Sequence, residues 1–204
     1  DYDAFFASFR TALSWAEHID LTGSLMADDY YKTDIHWRQE KLFPAAKTLA
    51  DAMGVSIADD FTQQTLARDY YGLYYGYAAL PVKPEKISYL TDDAIRDAVV
   101  TNFETNQKTT VYDMEKAAGT DPYEMFLSGS VSLLSIENQN AITDKELVIF
   151  RDSFASSLAP LLLQGYAKVT LVDIRYLPSA RLGRFLTFTD QDVLFLYSIP
   201  VLNN

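Results

Sequence analysis

The spacing of apolar and polar positions divides the chain into a clear C-terminal third and a less regular remainder. Val131–Ile136, Leu147–Phe150, Val169–Ile174 and Val193–Ile199 are near-continuous apolar runs of strand length. Between them, residues 153–164 and 179–188 have helical character, with Pro160 as the one defect. Strands that stay apolar on both faces and alternate with helices form buried parallel sheets in α/β domains. The pattern therefore predicts an α/β domain with a mostly parallel central sheet.

Upstream the periodicity is weaker. Residues 2–18 carry Phe5, Phe6, Phe9, Leu13 and Ala16 at helical spacing, which predicts a helix with one buried stripe. Residues 38–53 predict a second amphipathic helix, with Pro44 marking either its start or a bend and Gly54 its stop. Tyr30–Trp37 is short, aromatic and reads as a strand end or loop. The tyrosine-rich stretch 61–80, broken by Gly72 and Gly76, reads as a structured loop or short hairpin ended by Pro81. Residues 95–103 and 108–114 read as strands around a turn. Asp121-Pro122 is a good start for a short helix over 121–127. With no repeat and only mild shifts in composition, the expectation is one domain over 1–204 with an irregular insertion around 60–120.

Composition narrows the chemistry. The 204 residues contain no cysteine, which excludes disulfide scaffolds, cysteine nucleophiles and thiolate metal sites. Histidine occurs only at His18 and His36, so any imidazole chemistry uses one of these two. His18 falls near the end of a helical segment, where a histidine commonly just favours the helix dipole. Lys and Arg number 17 against 28 Asp and Glu, a formal charge of −11. That balance argues against nucleic acid or anionic lipid as a partner. It favours a neutral ligand over a polyanion unless a cleft is locally basic around Arg151 and Arg175. No apolar stretch reaches the length of a membrane span and no signal peptide is visible. The start at Asp1 is read as a trimmed or processed product, with room for an upstream anchor.

Two segments carry candidate chemistry. In Leu147–Phe154 an apolar strand runs directly into Asp152-Ser153 and then a helix. Ligands of open α/β sheets bind at the carboxyl ends of strands. This context exposes the Ser153 hydroxyl at the sheet edge beside free N–H groups that suit an oxyanion. The same two residues serve equally well as an ordinary helix N-cap. In Thr33-Asp34-Ile35-His36-Trp37, an extended backbone would turn Asp34 and His36 to one side. A polar loop with His36 packed on Trp37 is the plainer alternative. Together the segments supply a nucleophile, a base and an orienting acid, the set an acyl-transfer serine requires. Tyr70, Tyr71, Tyr74, Tyr75 and Tyr77 form either a sugar-stacking wall or an aromatic loop packed on the core.

Tyr30-Tyr31-Lys32-Thr33-Asp34-Ile35-His36-Trp37 resembles the Y-x-x-T-D-H-H-W stretch of the DHHW family, SGNH-hydrolase-like bacterial proteins related to the alginate O-acetyltransferases. Arg151-Asp152-Ser153-Phe154-Ala155-Ser156-Ser157 resembles that family's (G/K/R)-D-S-F-x-x-S block. Asp173-Ile174-Arg175-Tyr176 is similar to its D-x-R-Y element, and 192–204 to its closing strand. The likeness spans roughly residues 28–204 and is loosest between about 60 and 120. It implies an SGNH-hydrolase-like three-layer α/β/α sandwich, with Ser153 as nucleophile, His36 as base and Asp34 as orienting acid. The first histidine of the motif is Ile35 here.

The resemblance further implies an O-acetyltransferase or acetylesterase acting on a bacterial surface polysaccharide, extracytoplasmic and needing an acetyl donor but no cofactor or metal. For the oxyanion it points to the Ser153 N–H, then to the Gly129-Ser130 turn; Asn138 and Asn140 are further side-chain candidates. Trp37, Arg151, Arg175 and Tyr176 are expected to line the substrate pocket or support it. A catalytically inactive glycan-binding or scaffolding domain is the alternative, favoured by Ile35. A metal-dependent hydrolase using Asp34, His36 and Asp152 is the poorest reading, because the usual nitrogen and sulfur donors are scarce.

Overall fold

The computed structural model describes residues 2–78 and 81–202. In chain order the regular elements are α1 (Tyr2–Ala12), α2 (Phe43–Ala52), β1 (Thr62–Thr65), α3 (Leu73–Ala78), β2 (Ser88–Thr91), α4 (Asp93–Asp97), β3 (Val99–Asn102), β4 (Gln107–Thr109), α5 (Met114–Ala117), β5 (Leu133–Glu137), β6 (Glu146–Arg151), α6 (Phe154–Leu158), β7 (Lys168–Val172), β8 (Asp192–Leu196) and α7 (Ile199–Leu202). Short 3-10 turns include Gln39–Lys41, Pro122–Met125, Ala159–Gly165 and Ser179–Arg184.

The main sheet has six strands in the order β4-β3-β5-β7-β6-β8, and β1 and β2 form a separate antiparallel pair. β6 runs parallel to both β7 and β8. β7–β5, β5–β3 and β3–β4 are antiparallel. The sheet is thus mixed rather than mostly parallel, and the parallel part is confined to the C-terminal strands. A parallel neighbour needs a crossover of a dozen or more residues. The stretch 138–145 between β5 and β6 is shorter and contains no helix, so the chain simply reverses.

Strand alternation separates two cores. Leu134, Ile136, Leu147, Ile149, Val169 and Leu171 face the larger one, packed against residues of α2, α6 and the Ala159–Gly165 turn. Truncating Ile149 to Ala there costs about 2–5 kcal/mol. Leu133, Val148, Phe150 and Val172 face the smaller one, which is closed by Leu177 and Leu182. The expected sandwich is therefore uneven: this second face carries a 3-10 turn where a helix was expected, and Phe185, Phe188, Val193 and Phe195 stay exposed.

α2 begins at Phe43 with Pro44 in its first turn, where a missing N–H costs nothing. It ends before Gly54, which adopts a positive φ of 67°. The N-terminal helix departs from expectation. α1 stops at Ala12 and buries no residue. Its phenylalanines pack mainly on one another, Phe5 on Phe9 at 4.7 Å between ring centres. His18 lies on Phe6 rather than at a helix end. The stretch 61–80 is not a hairpin in itself: β1 pairs with the distant β2, and Leu73–Ala78 is a short helix. The closing strand ends at Leu196, and Asn203 and Asn204 lie outside the described residues.

Candidate active site

The site lies at the carboxyl edge of β6. Three side chains follow one another there with different tasks. Arg151 is 1% exposed. Its guanidinium donates to the Val131 carbonyl at 2.9 Å and to Ser156 Oγ at 3.1 Å, while Nε has no partner among the described residues. Burial pushes its pKa below the usual value, against the pull of the Asp173 charge. Asp152 is also buried. One carboxylate oxygen accepts from the Phe154 N–H at 3.0 Å and the other from the Ser198 N–H at 2.7 Å. Asp152 therefore caps α6 and ties down the end of β8, and Ser153 makes no side-chain cap. The two roles left open by the sequence are divided between neighbours, which leaves the Ser153 hydroxyl free for other work.

The second half of the site is the segment 30–38. It is a closed turn rather than an extended strand. Tyr30 and Trp37 form an antiparallel bridge, and Tyr31 N–H donates to the His36 carbonyl at 3.0 Å. Asp34 Oδ1 accepts the His36 N–H at 3.0 Å, which makes an Asx-type turn. It also meets His36 Nδ1 at 2.5 Å. The turn, not strand alternation, is what brings the two side chains to one side. His36 Nε2 lies 2.8 Å from Ser153 Oγ. The three groups thus form a continuous line from carboxylate to imidazole to hydroxyl, with Asp34 at 7% and His36 at 13% side-chain exposure.

Burial by itself would raise the Asp34 carboxyl. Hydrogen bonds from the His36 ring, the Leu73 N–H and the His36 N–H, with the imidazole charge, outweigh it and hold the carboxyl down to about 2. The Leu73 bond is 2.8 Å long and comes from the first residue of α3. Gly72 N–H donates to Thr33 Oγ1 at 3.1 Å and Tyr74 N–H to the Thr33 carbonyl at 2.8 Å. This approach demands glycine: a Cβ on Gly72 would lie 2.4 Å from Asp34 Cβ. A further clamp comes from Glu85. Its Oε2 accepts from Thr33 N–H and Oγ1, both at 3.0 Å, and its Oε1 accepts from Arg38 at 2.5 Å.

The imidazole is held on its faces as well. Tyr123 stacks on it at 4.0 Å with 14° between planes, and Phe154 lies tilted at 5.0 Å. Ser157 joins the two halves of the site. Its Oγ takes the indole N–H of Trp37 at 2.8 Å and shares a 2.9 Å hydrogen bond with Tyr123 Oη. Its carbonyl accepts from the buried Gln39 amide at 2.7 Å. Each such buried bond contributes about 1 kcal/mol, and leaving one partner unsatisfied costs about 1–3 kcal/mol.

Of the residues expected to line the pocket or support it, Tyr176 is exposed. Trp37 and Arg151 are buried supports. Arg175 chelates Asp173 through Nε at 2.9 Å and Nη2 at 2.6 Å and lies over the Tyr176 ring. Its charge is thereby answered, so Arg151 and Arg175 form no basic cleft. The Ser153 N–H has no acceptor among the described residues, as an oxyanion donor requires. Gly129 and Ser130 precede β5 at the same sheet edge, but the Gly129 N–H is engaged by the Phe126 carbonyl at 3.2 Å. Asn138 lies at the opposite edge, donating to the Leu163 carbonyl, and Asn140 binds Asp97. With Asp152 fully engaged, the set Asp34, His36 and Asp152 does not converge, and no metal-holding group of three occurs among the described residues. A cleft of about 540 Å³ between Lys32, Arg38, residues 82–86 and Ser88 is not lined by Asp34, His36 or Ser153.

Sequence reasoning passed over Glu85, Gln39, Tyr123 and the glycine-dependent contact of α3. Ser157 was within reach, since it closes the D-S-F-x-x-S block.

Fold and site together define a mixed α/β protein with a serine, an imidazole and a carboxylate aligned at the carboxyl edge of its parallel strands. Solved structures share this fold. A DHHW family protein from Eubacterium siraeum superposes with a TM-score of 0.65 at 22% identity, covering 83% of this chain and 58% of that one. Bacillus cereus PatB1 superposes with a TM-score of 0.62 at 22% identity, covering 84% of this chain and 62% of that one. PatB1 has also been solved with a sulfonyl adduct, at a TM-score of 0.60. The chain spans about three fifths of the length of these neighbours. No protein-family model and no curated protein matches the sequence.

Proposed function

We propose that this chain is the acyl-transfer unit of an O-acetyltransferase or acetylesterase that acts on a bacterial cell-surface polysaccharide outside the cytoplasm. The observation that carries the reading is the pair of contacts on one imidazole: 2.5 Å to Asp34 and 2.8 Å to Ser153. The resemblance of both motifs supports the choice of acetyl group and glycan. The sulfonyl adduct on a neighbour of the same fold fits a reactive nucleophile.

In this mechanism Ser153 Oγ attacks the acetyl carbonyl while His36 Nε2 takes the hydroxyl proton. Asp34 fixes the tautomer and stabilises the imidazolium. The carbonyl oxygen becomes an oxyanion facing the Ser153 N–H, and such donors are commonly the largest single contribution to rate. Collapse expels the donor's leaving group, which takes the proton from His36, and acetyl-Ser153 remains. A sugar hydroxyl or water then gives its proton to His36 and attacks the ester; the bond to Ser153 Oγ breaks as His36 returns the proton to it, which frees Ser153 and releases the acetylated sugar or acetate.

A non-catalytic glycan-binding domain would be favoured by an imidazole out of reach of the serine, and the 2.8 Å contact counts against it. Ile35 lies outside the aligned groups and is exposed. The direct test is hydrolysis of p-nitrophenyl acetate together with labelling by a sulfonyl fluoride. Turnover is expected, with the label on Ser153 by peptide mass spectrometry. Unchanged turnover in Ser153→Ala, or a label elsewhere, overturns the reading.

A further inference from the structure

The segment 70–78 has no role in the core beyond its first residues. Tyr70 and the backbone of Gly72 are buried, and from there α3 buries nothing. Yet three backbone N–H groups and a glycine that tolerates no Cβ hold this turn against Thr33 and Asp34. A packing element held so tightly would bury its side chains. This one turns them out: Tyr71 and Tyr74 are about half exposed and Tyr77 is 81% exposed. Tyr71 and Tyr75 lie edge to face at 4.7 Å, which fixes their rings relative to each other. Tyr70–Ala78 contains no charged residue.

We infer that Tyr71, Tyr74 and Tyr77 form a subsite for a neutral pyranose chain, the acceptor strand of the transfer reaction. The occupant follows from the chemistry of the surface. Tyrosine offers an apolar face for the C–H side of a sugar ring and a hydroxyl for its polar rim. A phosphate- or carboxylate-bearing chain would need cations, which this turn lacks. The turn that carries these tyrosines is anchored to the aligned groups, because the first N–H of α3 is bonded to Asp34 itself. The choice of acceptor rests on the acyl-transfer reading above; the tyrosine surface itself does not.

The test is calorimetric titration of the full chain with cello-, chito-, malto- and manno-pentaose and with an oligogalacturonate of equal length. Saturable binding to at least one neutral pentasaccharide is expected. Tyr71→Ala, Tyr74→Ala and Tyr77→Ala should each weaken it about 3- to 10-fold, with the Phe replacements at the same positions recovering most of the loss. No binding to any neutral chain, preference for the oligogalacturonate, or affinity unmoved by the triple Ala variant overturns the subsite. Circular dichroism of each variant separates lost binding from lost folding. Hydrolysis by Ser153→Ala is measured in parallel. Full hydrolysis there with tyrosine-dependent binding intact would sink the catalytic reading and leave the subsite standing. The reverse pattern would sink the subsite alone.

Discussion

Ser153 stands just past the end of β6, a strand that has parallel partners on both sides and is buried on both faces. Asp34 and His36 stand in a turn that has one isolated bridge and no ladder. The first region is positioned by regular backbone pairing and apolar packing. The second is positioned by side chain–backbone bonds from Glu85, Gly72 and Leu73, and by rings laid on the imidazole. On the proposed reading, the difference teaches that such a site takes its nucleophile from the scaffold and its base and acid from a loop, provided distant segments hold that loop. It also predicts that the two sides fail differently.

The largest effects should come from the reacting groups. Ser153→Ala and His36→Ala should each lower kcat for p-nitrophenyl acetate by roughly 10⁴-fold or more, with little change in thermal unfolding. Asp34→Asn should follow, at roughly 10³- to 10⁴-fold, because the amide no longer fixes the tautomer that delivers Nε2 to the serine. A loss below about tenfold in Asp34→Asn would show that the loop side contributes less than the geometry implies.

The clamps should matter next. Gly72→Ala forces α3 away from Asp34, and Glu85→Gln loosens Thr33 and Arg38. Each should lower kcat by about 10- to 100-fold while KM for the small ester changes little, since a displacement near 1 Å can cost that much. Glu85→Asp should recover part of the loss. Equal loss of kcat and of global stability would mean that these residues only hold the fold together.

The smallest effect is on stability in acid. Asp34 is held at about 2 in the folded chain against an ordinary 3.8, so folding gains from its ionised form. That gain is complete above about pH 4 and disappears as the pH falls through 2. The stability difference between the parent chain and Asp34→Asn should therefore shrink by on the order of 1–2 kcal/mol between pH 5 and pH 2. Urea unfolding at both pH values checks this, and a constant difference would show that the loop does not hold the carboxylate.

Legibility in the sequence follows the same division. β6 and β7 could be read because strands buried on both faces are almost wholly apolar, and Asp152-Ser153 stands out at the end of the first; β8 could be read from its apolar run alone, although Val193 and Phe195 stay exposed. Asp34 and His36 could be read because histidine is so scarce. The direction of β5 could not, since an apolar run such as Leu133–Ile136 looks the same in either sense. Nor could the fate of Arg151 or Trp37: a large amphipathic side chain suits a pocket wall and a buried strut alike. Glu85 was invisible because nothing local marks one carboxylate among 28 acidic residues as the partner of a threonine 52 positions away.

The contact between His36 and Ser153 closes a span of 117 positions. Most of the larger core and the segments that hold the turn lie within that span or at its ends. Such long-range closures come late in folding, after local structure has lowered their entropic cost. In a refolding experiment the return of ester hydrolysis should therefore trail the return of secondary structure. Activity is then a clock for the final docking of the loop onto the sheet, and Glu85 and Gly72 are the positions whose replacement should slow that clock without delaying the strands.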